Sequence, residues 1–332
     1  MYLSLLKRIK KKIWAVIVKK SNSKLFYPLI YKSYWKAQFI PSSLNLDTIQ
    51  YLSAEPNPGA GIGHQIANWN SGYWFAKQFD LQFAHTPFSI QDWEDFLGFG
   101  FNEVSVSDLI KNKGYKKIKI PLFDEKNNDD VSRTKKIIKS FRGSKVVFMC
   151  ELDQAYKAQY GVMKYIKNKF FNSITRKNDK KFYKPSCFNI AIHIRRGDII
   201  QKDLKNPNLT MRWLNNDYFF NVIESIFKIL KTKKEIHIYL FSQGEINDFK
   251  EFKKFENIHF CLDFSAQDSF LHMVYSDLLI TSKSSFSYKP ALLNKGIKVV
   301  PKNFWHSYPK SKNWFLADNF GNIINKPQTL NF

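Results

Sequence analysis

The chain opens on a stretch in which Leu3, Leu6, Ile9, Ile13, Val16 and Ile17 recur at roughly helical spacing. Lys7, Arg8, Lys10, Lys11, Lys12, Lys19, Lys20 and Lys24 stand among them, and no acid appears. This pattern predicts a basic amphipathic helix over the first 24 residues. Its longest apolar run, Ile13 to Val18, is far short of the roughly 20 residues that a membrane span needs. No small-residue cleavage site follows it, so neither a transmembrane anchor nor a signal peptide is expected. Further along, Ile49 to Leu52 reads as a strand that leads through Pro56 and Pro58 into Gly59-Ala60-Gly61-Ile62-Gly63-His64-Gln65, and a Trp- and Ala-rich helix is expected from Ile66 to Gln78. Leu81 to His85, Lys117 to Ile120 and Lys145 to Met149 read as further strands, separated by helices and by a polar loop from Asp124 to Arg133.

After the lysine-rich stretch Lys164 to Lys184 and Pro185, a second regular series begins. Strands are expected at Phe188–Ile194, Ile236–Ser242, Ile258–Phe260 and Leu278–Thr281. Helices are expected at Asp217–Lys231, Asp248–Phe255, Ala266–Tyr275 and Ser287–Asn294. Strands alternating with helices in this way imply an α/β fold with parallel, doubly wound sheets. A chain of 332 residues suits two domains of comparable size, with a cleft between them as the default site. The expected divisions are a basic segment over 1–45, an α/β domain over 46–185 and a Rossmann-type domain over 186–332.

Composition narrows the partners. With 44% hydrophobic residues and few Gly and Pro, the chain has ample apolar surface for packed cores and is not globally disordered. A formal charge of +24 draws polyanions, whether nucleic acid, anionic lipid or a nucleotide-sugar. Cys150, Cys187 and Cys261 lie far apart, so neither a disulfide framework nor a structural zinc site of the usual spacing is expected, and a reducing compartment fits best.

The chemistry concentrates in Asn189-Ile190-Ala191-Ile192-His193-Ile194-Arg195-Arg196-Gly197-Asp198. Alternation puts the isoleucines on one strand face and Asn189, Ala191, His193 and Arg195 on the other. Two guanidinium groups then stand at the carboxyl edge of a sheet, where ligands of open α/β folds sit. An arginine fork matches phosphate oxygens, each charge-assisted bond contributing about 1.5 to 3 kcal/mol. It also stabilises the charge that builds on a departing diphosphate. A surface ion pair between Arg196 and Asp198 is the plain alternative. The glycine loop lacks the Lys-Ser or Lys-Thr of an ATP-binding loop and misses the dinucleotide spacing, so neither ATP nor NAD is expected.

The string His-x-Arg-Arg-Gly-Asp after a hydrophobic strand resembles the signature of GDP-fucose-dependent fucosyltransferases that make alpha-1,2 and alpha-1,6 linkages, and of their protein O-fucosylating relatives. Ile236 to Ser242 is similar to the second motif of that family, and Asp268 through Leu271-His272-Met273 and Asp277 to Ser282-Lys283-Ser284-Ser285-Phe286-Ser287 to the third. The likeness covers about residues 186 to 305, and the Gly59 to Gln65 loop resembles the family's amino-terminal glycine loop. It implies a GT-B-like fold, two Rossmann-type domains facing a cleft, with the carboxy-terminal one binding GDP-fucose as donor substrate and with no cofactor or metal. By the same likeness Arg195 contacts the donor diphosphate with Arg196 and Asp198 beside it. His193 and Asp268 lie near the guanine, Ser284 and Ser285 meet a phosphate, and Gly61 and Gly63 belong to the donor loop. The Ser-rich turn also reads as a plain helix cap.

His64 stands where the family usually has Asn. Either it or Asp203, in a place where the alpha-1,6 enzymes carry an acid, is a candidate base for the acceptor hydroxyl, while a His64 that only hydrogen-bonds the donor or closes the turn is the plain alternative. The implied reaction is transfer of L-fucose with inversion to a glycan hydroxyl, with an alpha-1,2 bond expected, in surface polysaccharide or glycan synthesis. Another GDP-sugar on the same fold is the nearest alternative. A basic nucleic-acid-binding protein is the alternative of another class, although no helix-turn-helix, RNP or zinc-finger pattern supports it. The expected location is cytoplasmic, with the basic amino-terminal helix either solvated and packed on its own domain or peripheral at the anionic inner face of the cell membrane.

Overall fold

Short runs of β-branched, aromatic and aliphatic residues form the strands, and Pro-, Gly- and Asn-containing turns separate them from amphipathic helices. The computed structural model describes residues 2–21, 24–36, 47–150, 156–197, 211–262, 264–325 and 327–332. It divides into two units, each discontinuous in sequence: Met1–Asn57, Ala67–Pro87 and Asn102–Tyr156 form the first, and Pro58–Ile66, Phe88–Phe101 and Lys157–Phe332 the second.

In the first unit, β1 (Tyr51–Ala54), β2 (Gln82–His85), β3 (Val104–Ser105), β4 (Lys116–Lys119) and β5 (Val146–Cys150) make a five-stranded sheet of order β3-β2-β1-β5-β4. Every pairing in it is parallel. Val147 and Met149 pack with Tyr51, Ala84, Val106 and Leu109 in one cluster, and Val146, Phe148 and Cys150 on the opposite face of β5 are buried as well, the burial on both faces that parallel sheets need. The helices of this unit are α1 (Tyr2–Lys20), α2 (Tyr27–Lys36), α3 (Ile62–Gln78) from Ala67 on, α5 (Val106–Lys111) and α6 (Asn128–Ser140), while α4 (Gln91–Leu97) and the first turn of α3 belong to the second unit. Along α1, Ile9, Ile13, Val16 and Ile17 are exposed, and no helix among the described residues is long and apolar enough to cross a membrane. The expected polar loop from Asp124 to Arg133 is a loop only at its start. The Asn127 side chain accepts hydrogen bonds from the Asp129 and Asp130 amides, and Thr134, Ile137 and Ile138 are buried, so a capped amphipathic helix forms there.

The second unit carries β6 (Phe188–His193), β8 (Ile236–Phe241), β9 (Ile258–Cys261), β10 (Leu278–Ile280), β11 (Ile297–Pro301) and β12 (Trp314–Ala317) in the order β12-β11-β10-β6-β8-β9. All its pairings are parallel. Two short strands, β7 (Leu230–Lys231) and β13 (Leu330–Asn331), pair separately. The chain builds the large sheet outward on one side of β6 and then returns to the other side, which makes the junction of β6 with β10 a topological switch point. The helices here are α7 (Met163–Asn172), α8 (Asn216–Ile229), α9 (Ala266–Tyr275) and α10 (Ser285–Leu293). Ile190, Ile192 and Ile194 face a core built with Phe219, Val222, Ile223 and Ile226 of α8, as alternation along the strand requires.

The division departs from the boundary expected near residue 185, and packing is the reason. Phe170 of α7 lies against Phe96 at 6.0 Å and Phe270 at 6.4 Å. The Arg176 guanidinium covers both Phe96 and Phe170. Trp93 adds a contact to Phe270 at 5.6 Å. These rings bind both the lysine-rich stretch and residues 88–101 into the second unit. Helix α3 also starts earlier than the expected Ile66: the His64 and Gln65 amides donate to Gly61 O at 2.9 and 3.3 Å, so the end of the glycine loop is the helix's first turn.

Candidate functional site

β6 ends at His193, and the segment that follows is clamped by hydroxyls at the ends of the two neighbouring strands. Ser282, after β10, accepts from the Arg195 amide at 2.8 Å and donates to His193 O at 2.5 Å. Ser242, after β8, donates to Ile194 O at 2.8 Å. Arg195 therefore lies beyond the strand rather than on it, and a fixed turn sets its position. Gly197 closes that turn with φ +73°, and a Cβ there would fall 1.8 Å from Gln243 Oε1. The left-handed backbone calls for glycine, whereas the Gln243 side chain could swing aside.

Around this turn, at the carboxyl edge of the sheet, is a cavity of about 520 Å³ whose lining belongs entirely to the second unit. Two helix amino termini open onto it. Gly61, Ile62, Gly63 and His64 at the start of α3 line it, and so do Ser284, Ser285 and Phe286 at the start of α10. The two ends touch: a Cβ on Gly63 would lie 2.6 Å from Ser285 C and 2.8 Å from Phe286 N, whereas a Cβ on Gly61 would meet nothing within 4 Å. Ser284 caps α10 by accepting from the Phe286 amide at 3.2 Å. The Ser285 hydroxyl is buried and has no hydrogen-bond partner among the described residues. Helix amino termini carry unsatisfied amides and partial positive charge, so two of them converging make an anion cradle.

Three arginines, Arg195, Arg196 and Arg212, complete the positive lining. Arg196 stacks on Trp213 at 4.0 Å and donates to Arg195 O at 2.8 Å and to Asn216 Oδ1. Burial pulls its pKa down to about 10, against the pull of Glu251 and Asp248, so it remains a cation at neutral pH. The Arg212 guanidinium lies 5.3 Å from the Trp305 ring centre. His193 is driven down to about 3, first by burial and then by Arg195 and Arg196. It is a neutral imidazole there, its Nδ1 buried without a hydrogen-bond partner. His306, stacked on Tyr288, is held down at about 2 by burial, with Lys289 and His64 adding repulsion. The rest of the wall includes Phe241, Gln243, Phe264 and Ser269, apolar surface with a few amide and hydroxyl groups.

Of the residues expected from sequence, Gly61, Gly63, His64, His193, Arg195, Arg196, Ser284 and Ser285 all line this one cavity. Asp268 does not. Its carboxylate takes the Ser265 hydroxyl at 2.6 Å while its amide donates back to Ser265 Oγ at 3.0 Å, so it caps the start of α9. Asp198 and Asp203 lie outside the described residues. Arg196 finds Trp213 and Asn216 among its partners, residues the sequence reading did not single out. Arg212 and Trp305 were also missed, since they sit in no motif. Ser282 belongs to the third motif but was given no role, because its bonds to the turn after β6 follow from the register of β10 beside β6.

No protein-family model matches the chain, and no curated protein matches it. It is similar to several solved structures. An FUT1 mutant of Arabidopsis thaliana in complex with GDP is 13% identical with TM-score 0.47, the match covering 84% of this chain and 78% of that one. POFUT1 in complex with GDP is 12% identical with TM-score 0.47, covering 84% and 100%. The NodZ alpha-1,6-fucosyltransferase co-crystallized with GDP is 12% identical with TM-score 0.46, covering 84% and 98%.

Proposed function

We propose that the chain is a glycosyltransferase that binds a GDP-sugar, GDP-β-L-fucose, and passes its fucose with inversion to a glycan hydroxyl, forming an alpha-1,2 bond in the synthesis of a surface polysaccharide or lipid-linked glycan. One observation carries the donor reading: two helix amino termini and three arginines converge on a single cavity at the switch point of a parallel sheet. That array suits a diphosphate, with helix amides meeting oxygens directly and guanidinium forks holding them in pairs. The choice of guanine and fucose rests on the motif resemblance, which the diphosphate cradle supports but does not extend to the sugar.

In this reading the acceptor oxygen attacks the anomeric carbon as its bond to the β-phosphate breaks, and the electron pair leaves on GDP. Arg195 and the start of α10 take up the growing charge. Arginines supply that charge, so turnover requires no divalent ion and should persist in EDTA. The acceptor hydroxyl loses its proton to His64, exposed at the cavity wall, or to Asp203. The basic helix α1, with its exposed isoleucines, rests on an anionic membrane face where such an acceptor is anchored.

Calorimetry with GDP, ADP and UDP on the full chain tests the donor. GDP should bind at least tenfold more tightly than either other diphosphate. Equal affinity for all three would leave a diphosphate site without a guanine site, and no binding would remove the reading. GDP-fucose should then be turned over faster than other GDP-sugars, which are the alternative donors for the same cradle.

A further inference from the structure

At the amino-terminal edge of the large sheet, the opposite end from the cavity, three chemically distinct side chains meet. Cys187 precedes β6, while Glu235 and His237 stand at the start of β8, and Asn189 of β6 pairs in register with His237. Cys187 Sγ lies 3.8 Å from Glu235 Oε2, and His237 Nε2 lies 3.3 Å from the same oxygen. All three atoms fall within 4.8 Å of one another. We propose that these residues bind a divalent transition metal of the zinc type, with a water or an outside ligand in the fourth position.

The distances fit the chemistry. Zinc holds nitrogen and oxygen at about 2.0 Å and thiolate sulfur at about 2.3 Å, so a tetrahedral site places its N and O ligands about 3.3 Å apart and its S and O ligands about 3.5 Å apart. Two edges of the triangle thus already stand near bonding geometry. The ligands are also backed from outside. His237 Nδ1 is 2.9 Å from His259 Nε2, and Asn257 Nδ2 donates to the other oxygen of Glu235 at 3.0 Å. Such partners orient metal ligands and fix the imidazole tautomer. His237 Nε2 is buried, and its partner is Glu235 Oε2 at 3.3 Å. When His237 donates its Nδ1–H to His259, the Nε2 lone pair faces a carboxylate oxygen and a sulfur, three electron-pair donors around one point. A cation there satisfies all three.

Cys187 and His237 are buried and Glu235 is exposed, so the metal would enter from the Glu235 side. The site lies far along the strands from His193 and Arg195, at the other end of β6, so its role is to pin the start of β6 to β8 and, through His259, to β9. The sequence offers no clue of the usual kind, because Cys187 stands alone and its partners come from the next strand rather than from a Cys-x-x-Cys pair.

Co²⁺ added to the chelator-treated full chain should produce the near-ultraviolet band of a thiolate bound to cobalt and the visible bands of a tetrahedral ion, and Zn²⁺ should displace both. Binding should release about one proton as the Cys187 thiol ionises. Cys187→Ser should abolish the thiolate band, while Cys150→Ser and Cys261→Ser keep it. Glu235→Gln, an exposed and mild change, should weaken Zn²⁺ binding at least tenfold without altering the fold by circular dichroism. No thiolate band with millimolar Co²⁺, a band that survives Cys187→Ser, or Zn²⁺ affinity unchanged by Glu235→Gln would each overturn the proposal.

Discussion

Single residues around the cavity divide into those whose side chains line it and those that hold the others in place. Arg195 is positioned by a backbone clamp on Ser282 and lines the cavity beside the end of α10. Loss of one preorganised electrostatic donor commonly costs about 3 to 4 kcal/mol in the transition state. Arg195→Ala should therefore lower turnover of the donor by several hundredfold, measured as GDP release. Arg195→Lys should not restore it, because a point charge lacks the planar fork. Wild-type turnover in Arg195→Ala would remove this residue from the chemistry. Gly63 is a sharper structural case. Any Cβ there strikes the backbone of Ser285 and Phe286 at 2.6 to 2.8 Å, and backbone cannot swing aside as a side chain can. Gly63→Ala should push the two helix ends apart and weaken GDP binding at least tenfold, while Gly61→Ala, with open space at its Cβ, keeps its melting temperature. Equal binding by Gly63→Ala and the parent would show that the close approach is not needed.

At the scale of elements, the sequence showed the second sheet most clearly. Phe188 to Ile194 alternates apolar and polar positions, and helix Ala266–Tyr275 has the expected bounds, its start fixed by the Ser265 hydroxyl, which accepts from the Asp268 amide. The start of α3 was not legible. Gly61 and Gly63 read as loop residues by propensity, yet the close packing of Gly63 on Ser285 and the bonds that the Gln65 side-chain Nε2 donates to Ala60 O at 2.9 Å and Ser89 Oγ at 2.7 Å draw them into a helical turn. Tertiary contacts override local preference there. Asp268 shows a local use of a motif position: its carboxylate accepts from the Ser265 hydroxyl at the start of α9. Helix α1 carries the element-scale prediction. Its exposed Ile9, Ile13, Val16 and Ile17 beside a run of lysines combine apolar and electrostatic attraction to an anionic surface. Deleting residues 1–24 should release the protein from anionic vesicles, and binding of the full chain should fall as salt rises, because screening acts over about 8 Å at physiological ionic strength. Truncated protein that sediments with vesicles as fully as the parent would place the attachment elsewhere.

For the molecule as a whole, burial of neutral imidazoles couples stability to pH. His193 is held at about 3 and His306 at about 2, each chiefly by burial, and burial also lowers His272. An unfolded chain protonates these groups near pH 6.5. As pH falls from 7 towards 4, the unfolded state takes up protons that the folded state refuses, so stability present above about pH 6.5 is lost progressively. At pH 5 each fully buried imidazole should account for a loss on the order of 2 kcal/mol. With His193 and His306 acting together, the melting temperature should drop by several degrees between pH 7 and pH 5. The cause separates from general acid effects by substitution. His306→Gln removes one titrating group and should flatten the pH dependence, whatever it does to absolute stability. GDP offers a second check, because on the proposed reading its diphosphate lies against Arg195 and Arg196, which add to the burial that depresses His193. A bound anion eases protonation of that imidazole, so saturating GDP should reduce the slope as well as raise the melting temperature. Melting temperatures that stay level from pH 7 to pH 5 in the unliganded protein would mean that these imidazoles are not held neutral by burial.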